Sequence, residues 1–438
     1  MIHDLRTDMF DEALQYLLSL GHETLAIKLG LTNTERLLEA LGRPQTSFPS
    51  VQVAGTNGKG STAVMLEAIA RAANISTGLY TSPHLVSITE RIRINGREIS
   101  REDFARLTMK VRASAQGLLF EGSLETLPTF FEHVTAIALL AFSEANVQLA
   151  ILETGLGGRL DATTTAQAKI VAITPIALDH QEYLGETLSE IAAEKAAIIR
   201  PGATAIIAPQ APEALDVILK RCADCKVAPR FDECKATILD ADETGHVRAT
   251  FETKEARYEN VLLGLRGRHQ AMNAAVAIAL AEALRERGFH LPTEAIIAGL
   301  ESSAHAGRLE LRDGQPAILF DGAHNPAGAR ALRDFLDEFI KEPITLVFGV
   351  MRDKDLNEIA ATLFPVAQHL IFTQPSNPRA ATLETLARLV PHGFDSSRIT
   401  LAPTINEALS AARAQTPPLG IICVAGSLYL IGEVQSYL

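Results

Sequence analysis

The stretch Val51-Gln-Val-Ala-Gly-Thr-Asn-Gly-Lys-Gly-Ser61 carries the residue types of a phosphate cradle. A short apolar run ends in Gly55, Gly58 and Gly60, interleaved with Thr56, Asn57 and Lys59, and Ala63, Leu66, Ile69 and Ala70 then follow at helical spacing. A strand, a glycine-rich turn and a helix N-terminus together aim backbone N–H groups and the positive end of a helix dipole at one point, which suits a triphosphate. Lys59 would reach the outer phosphates, and the Ser61 hydroxyl would meet magnesium. The loop departs from the standard G-x-x-x-x-G-K-[ST] pattern, because Gly60 stands between Lys59 and Ser61.

Other residues have types that do chemistry. Glu153 closes the apolar run Leu149–Leu152, so by spacing alone it is either a metal-facing carboxylate at a strand end or a solvated acid. His180 follows the run from Lys169 to Thr174 through a short loop, a place where a lone histidine is usually just surface. Lys195 falls with Ile191, Ile198 and Ile199 on one face of a helix expected from Ser189 to Arg200. An amine there must snorkel, pair or lose its charge. Leu127-Pro-Thr-Phe-Phe-Glu-His133 sets two aromatics ahead of a helix, ordinarily a core feature. Asp321 and His324 sit between an apolar run and a helix, at the functional edge of an α/β sheet, and Lys354 is expected near the same cleft. Cys222 and Cys225 form a CxxC, but only Cys234 and His246 follow nearby, so all four cysteines, Cys423 included, read as reduced thiols.

The elements that must position these residues point to an α/β fold. At 438 residues the chain exceeds one ordinary core, which implies two domains. The first fifty residues read as helical, with Phe10, Leu14, Leu17 and Leu18 on one face and Leu31, Leu37, Leu38 and Leu41 on another. From Val51 short apolar runs alternate with helical stretches, the pattern of a parallel sheet. From about Cys222 to Leu265 alternating segments suggest antiparallel strands appended to the main sheet, followed by a long Ala-rich helix from about His269 to Gly288. The expected division is a P-loop ATPase-like domain at 1–300, a linker at 301–307 and a smaller Rossmann-like domain at 308–438. The formal charge of −12 argues against a nucleic-acid or membrane-surface binder. The acidic start, with Asp4, Asp8, Asp11 and Glu12, resembles neither a signal nor a transit peptide, and no apolar run reaches about 18 residues, so a cytoplasmic location is expected.

The loop GTNGKGS resembles that of folylpolyglutamate synthases and dihydrofolate synthases, relatives of the UDP-muramyl amino-acid ligases. Further similar blocks are Thr81-Ser-Pro-His-Leu85, Thr89-Glu-Arg-Ile-Arg93, Glu153-Thr-Gly-Leu-Gly-Gly-Arg-Leu-Asp-Ala-Thr163, Ala177-Leu-Asp-His180, Glu194-Lys195, Gly264 to Asn273, Gly307-Arg308, Asp321-Gly-Ala-His-Asn-Pro326 and Gly426-Ser427. The resemblance implies a ligase that uses ATP to phosphorylate a folate-type carboxylate and then joins L-glutamate to it. It implies Ser61, Ser82, Glu153 and His180 as ligands of two magnesium ions, a potassium ion, and a carbamate on Lys195. It also implies that Gly55 to Ser61, Asn273, Arg308 and Asp321 meet ATP, that Thr129 and Phe131 help to hold the pterin, and that Arg91, His324 and Ser427 meet glutamate. Arg91 could otherwise be an exposed strand charge. The implied acceptors are dihydropteroate and reduced folates, and the expected form is a monomer. Where the family commonly reads DATN, this chain has Asp161-Ala-Thr-Thr164.

Two competitors rank lower. A muramyl-type ligase would need a UDP-binding domain ahead of the loop, for which about fifty residues leave no room. A P-loop regulatory switch would carry Asn-Lys-x-Asp, and no Asn in the chain is followed by Lys.

Overall fold

The computed structural model describes residues 2–21 and 30–438. Runs such as SVQVA and LAILE, mostly apolar, are buried along their whole length, as parallel strands covered on both faces must be. The first sheet contains β1 (Ser50–Ala54), β2 (Thr77–Tyr80), β3 (Ile92–Ile94), β4 (Arg97–Glu98), β5 (Leu149–Glu153), β6 (Ile170–Ile173), β7 (Thr204–Ile207) and β8 (Pro229–Phe231). Their spatial order is β4-β3-β2-β5-β1-β6-β7-β8. β1 lies between β5 and β6 and is parallel to both, so the loop after β1 opens into the crevice where chain order reverses. Gln52, buried in the middle of β1, donates to the hydroxyls of Thr154, Thr163 and Thr164, tying the loop that follows β5 to the central strand.

The segment after β8 corrects one expectation. β9 (Lys235–Ala241), β10 (His246–Glu252) and β11 (Arg257–Arg266) are antiparallel but form a separate three-stranded sheet rather than an extension of the first. Their inward residues Val247, Ala249, Phe251, Tyr258, Val261 and Leu263 join the core of the helices Lys59–Ala72, Gln270–Glu286 and Thr293–Ser302, and that burial stacks the sheet on helices instead of on a strand edge. The first helix, Ile2–Ser19, lays Phe10 and Leu17 against the helix Arg101–Phe120, but Leu18 is 61% exposed and points away from the apolar face. The helix carrying Lys195 runs Leu188–Ala196 and stops short of Arg200. Ahead of Pro201, Ile198 and Ile199 make tighter bonds back to Lys195 and Ala196, because the residue before a proline disfavours helix.

The second half holds β12 (Glu310–Arg312), β13 (Ala317–Asp321), β14 (Ile344–Phe348), β15 (His369–Thr373), β16 (Ile399–Ala402) and β17 (Ile421–Ala425), in the order β12-β13-β17-β14-β15-β16. Only β12 is antiparallel, and sequence reading did not anticipate it. Two apolar clusters lie on this sheet, one built around Phe348, Phe364 and Phe372 and the other around Val347, Ile422 and Leu430.

Candidate active site

β1 delivers Gly55 with φ of 146°, and a Cβ there would come within 1.9 Å of the Thr174 hydroxyl, so only glycine fits. Gly58, φ 84°, caps the helix Lys59–Ala72 and packs on Asn273, whose Oδ1 would lie 2.2 Å from an added Cβ. Not every loop amide is free for an anion. The Thr56 and Asn57 N–H groups both donate to the Pro175 carbonyl, at 3.0 and 3.2 Å, so the available donors belong to the first helical turn. Gly60, the departure from the standard loop, has a steric cause: a side chain would strike the His305 ring at 2.6 Å and sit 3.3 Å from a Glu153 oxygen. Lys59 donates to the Thr56 carbonyl, and burial lowers its amine pKa against the opposing pull of Glu153 and Asp179.

Glu153 is buried at the end of β5 and accepts from the Ser82 N–H at 3.1 Å. Burial raises its carboxyl pKa, and the charge of Lys59 counters this. His180 adopts a left-handed backbone with φ of 52°, and its Nδ1 is buried with no hydrogen-bond partner. Burial pushes its imidazole down to about 3, so it is a neutral donor of a lone pair. Lys195 is only 4% exposed, and burial together with the charge of Lys59 lowers its amine to about 7. Lys59, Ser61, Ser82, Glu153, His180 and Lys195 all line one cleft of about 320 Å³. The cleft also receives Asn273 from the helix Gln270–Glu286, together with Arg308, Asp321 and His324 from the second sheet's domain. Among the described residues no three His, Cys, Asp or Glu converge into a ready-made metal cage. A donor set of two hydroxyls, a carboxylate and an orphaned imidazole nitrogen suits a hard divalent ion that takes its remaining oxygens from phosphate.

A second cavity, of about 280 Å³, adjoins the first. Thr129 caps the helix Phe130–Glu144 in a reciprocal capping box with Glu132, which fixes the entry of that helix. Phe131 then lies against Gly155, where a Cβ would meet the ring at 2.5 Å. Asp161 accepts from the Gly155, Leu156 and Thr163 N–H groups and holds the loop after β5. Thr164, where the family commonly has asparagine, donates to the Gly158 carbonyl and accepts from Gln52, so the altered position still stitches the loop to β1. Arg91 is not an exposed strand charge and does not line either cavity. It is 1% exposed, donates to His84 Nδ1 at 2.8 Å and lies over the Phe130 ring, because the short helical turn Ile88–Arg91 directs it inward.

The Mur ligase middle domain matches residues 53–281, and the Mur ligase glutamate ligase domain matches residues 307–428. The dihydrofolate synthase/folylpolyglutamate synthase of Bacillus subtilis is 34% identical over 427 residues, covering 95% of this chain and 97% of that protein. The chain belongs to the folylpolyglutamate/dihydrofolate synthase family of Mur ligases. A probable bifunctional folylpolyglutamate synthase/dihydropteroate synthase of Halobacterium salinarum is 35% identical over 98% of the chain, but the chain spans about half of that relative's length, 51%. The solved Mycobacterium tuberculosis folylpolyglutamate synthase complexed with ADP superposes with a TM-score of 0.90 at 32% identity, covering 99% of this chain and 98% of that one. The Yersinia pestis bifunctional folylpolyglutamate synthase/dihydrofolate synthase, complexed with AMPPNP and a Mn ion, gives 0.83 at 30% identity over 98% and 97%.

One residue of this folylpolyglutamate/dihydrofolate synthase family member escaped sequence reasoning. Asp179 is a buried acceptor at which the two domains meet. Lys354 Nζ lies 2.5 Å from Asp179 Oδ1, His324 Nε2 lies 3.3 Å from Oδ2, and Asn325 donates to Oδ2 at 3.3 Å. Burial alone would raise its carboxyl pKa, but His324, His180 and Lys354 hold it well below the usual range. Asn325 donates also to Asn57 in the P-loop, at 3.0 Å. Ser427 caps the helix Leu428–Ser436 and, with His324 and Lys354, lines the second cavity. The hint in the sequence was an acid next to a histidine after an apolar run, which does not tell an interdomain acceptor from a surface acid.

Proposed function

We propose that this chain is an ATP-dependent ligase that adds L-glutamate to dihydropteroate and to reduced folates through an acyl phosphate. The observation that carries the reading is that the phosphate loop's cleft and the Phe131 cavity share walls at Ser82, Gly155, His180 and His324, so a nucleotide and a folate carboxylate can meet there. A carboxylate oxygen attacks the γ-phosphorus, the bond to the ADP oxygen breaks, and Lys59 neutralises charge on the transferring group. The glutamate amine then attacks the acyl carbon, and phosphate leaves with the carboxylate oxygen. Asn273, Arg308 and Asp321 meet the nucleotide, Thr129 and Phe131 hold the pterin, and His324 and Ser427 meet the incoming glutamate.

Ser61, Ser82, Glu153 and His180 would hold the two magnesium ions of this reading, which supply charge neutralisation at the phosphates when bound. The reading includes a potassium ion. It also includes a carbamate on Lys195: only a neutral amine adds CO₂, and an amine lowered to about 7 is available at neutral pH. The domain division proposed is 1–300, 301–307 and 308–438; it is supported by a helix that ends at Ser302 and a strand that begins at Glu310. A cytoplasmic monomer completes the reading, consistent with the lack, among the described residues, of any helix long and apolar enough to cross a membrane. The test is incorporation of labelled glutamate with dihydropteroate and tetrahydrofolate offered separately. Incorporation with both supports the full reading, incorporation with one removes the dual activity, and incorporation with neither overturns it.

A further inference from the structure

The second-domain wall of the cavity is built from successive strand ends. His324 follows β13, Ser427 follows β17, Lys354 follows β14, and the loop after β15 supplies Arg379. Arg379 is 9% exposed, and its Nε and Nη1 are buried without hydrogen-bond partners. Its nearest acid, Asp353, stands 3.8 Å away, beyond hydrogen-bond reach, and lies at the same distance from Lys354, whose close partner is Asp179. A buried guanidinium with unused N–H groups on a cavity wall is costly unless a planar anion completes it, and a carboxylate matches the guanidinium's fork.

Position decides which carboxylate. The phosphoryl-transfer side of the cleft belongs to the first domain's Lys59 and to Arg308 and Asp321, beside β13. In the order β13-β17-β14-β15, Arg379 stands two strands beyond Ser427, and each step is about 4.8 Å. An amino acid whose amine points back toward the acyl phosphate therefore presents its far end to Arg379. We infer that Arg379 is the residue that selects an acidic side chain in the incoming amino acid, by pairing with the γ-carboxylate of glutamate. Asp353, 3.8 Å from Nη1, offsets part of the buried positive charge without hydrogen-bonding to it. This inference rests on the ligase reading above and adds to it the origin of the amino-acid specificity.

The experiment measures ADP release and product formation with ATP and a folate acceptor, offering L-glutamate or L-glutamine, for the parent, Arg379→Gln and Arg379→Lys. Arg379→Gln is expected to raise the KM for glutamate by at least about 100-fold, to leave the KM for ATP within threefold, and to remove most of the preference for glutamate over glutamine. Arg379→Lys keeps the charge without the fork, should fall between the two, and serves if the Gln variant fails to fold. A folded variant with an unchanged KM for glutamate and undiminished discrimination against glutamine would overturn the assignment. If the parent itself releases no ADP in response to glutamate, the ligase reading fails, and the inference fails with it.

Discussion

Lys195 has one local environment and two consequences, one for stability and one for chemistry. In CO₂-free buffer its amine loses its proton near pH 7 in the native state, whereas in the unfolded chain it does so near an ordinary lysine value of about 10.4. Between those values the unfolded chain binds more protons, so stability rises with pH across the window; below about pH 7 both states carry the proton and the penalty of burial is fully present. The expected slope is up to about 1.4 kcal/mol per pH unit. Denaturant unfolding at pH 7 and pH 9 should show it for the parent and not for Lys195→Met, and bicarbonate should flatten it if the amine becomes a carbamate. Equal slopes in parent and variant would mean that the burial of Lys195 does not set its charge.

At the scale of elements, the helix behind the phosphate loop is held by close packing that leaves no room for a methyl group. Gly299, on the helix Thr293–Ser302, faces the backbone of the helix Lys59–Ala72, and an added Cβ would lie 2.3 Å from Ile69 Cα. Because the obstacle is backbone, Gly299→Ala must push the two helices apart, an overpacking expected to cost about 1–3 kcal/mol or more. A thermal melt should show the loss, and an unchanged melt would mean that the helices yield freely.

The strands were legible in sequence as buried apolar runs, and the phosphate loop because such a run ends in a glycine demanded by backbone geometry, as at Val51–Gly55. The unlinked sheet of β9–β11 was not legible. Alternation in HVRATFE reports one buried face but not whether a helix or a strand covers it. The burial of Arg91, against the alternative of an exposed charge, was not legible for the same reason: it depends on His84 and the Phe130 ring, contacts that no local pattern encodes. Lys195 could be singled out because helical spacing alone places an amine among isoleucines.

Across the whole molecule, two domains with separate cores meet at Asp179. Its carboxylate receives Lys354, His324 and Asn325 from the second domain while its neighbour His180 faces the cleft of the first. Removing one partner of a buried ion pair costs about 3–5 kcal/mol, here charged to the contact between domains rather than to either core. Asp179→Ala should therefore retain native circular dichroism and lose at least about 100-fold in glutamate-dependent turnover, with the domains unfolding in two transitions. One unchanged transition with turnover within threefold of the parent would remove Asp179 from the interdomain contact.

The central claim is that ATP activates the acceptor's carboxylate. If dihydropteroate labelled with ¹⁸O in its carboxylate is turned over with ATP and glutamate, an acyl phosphate requires one carboxylate oxygen per turnover to appear in inorganic phosphate. Label in phosphate in a one-to-one ratio with amide product is the predicted result. Amide product accompanied by unlabelled phosphate would contradict it.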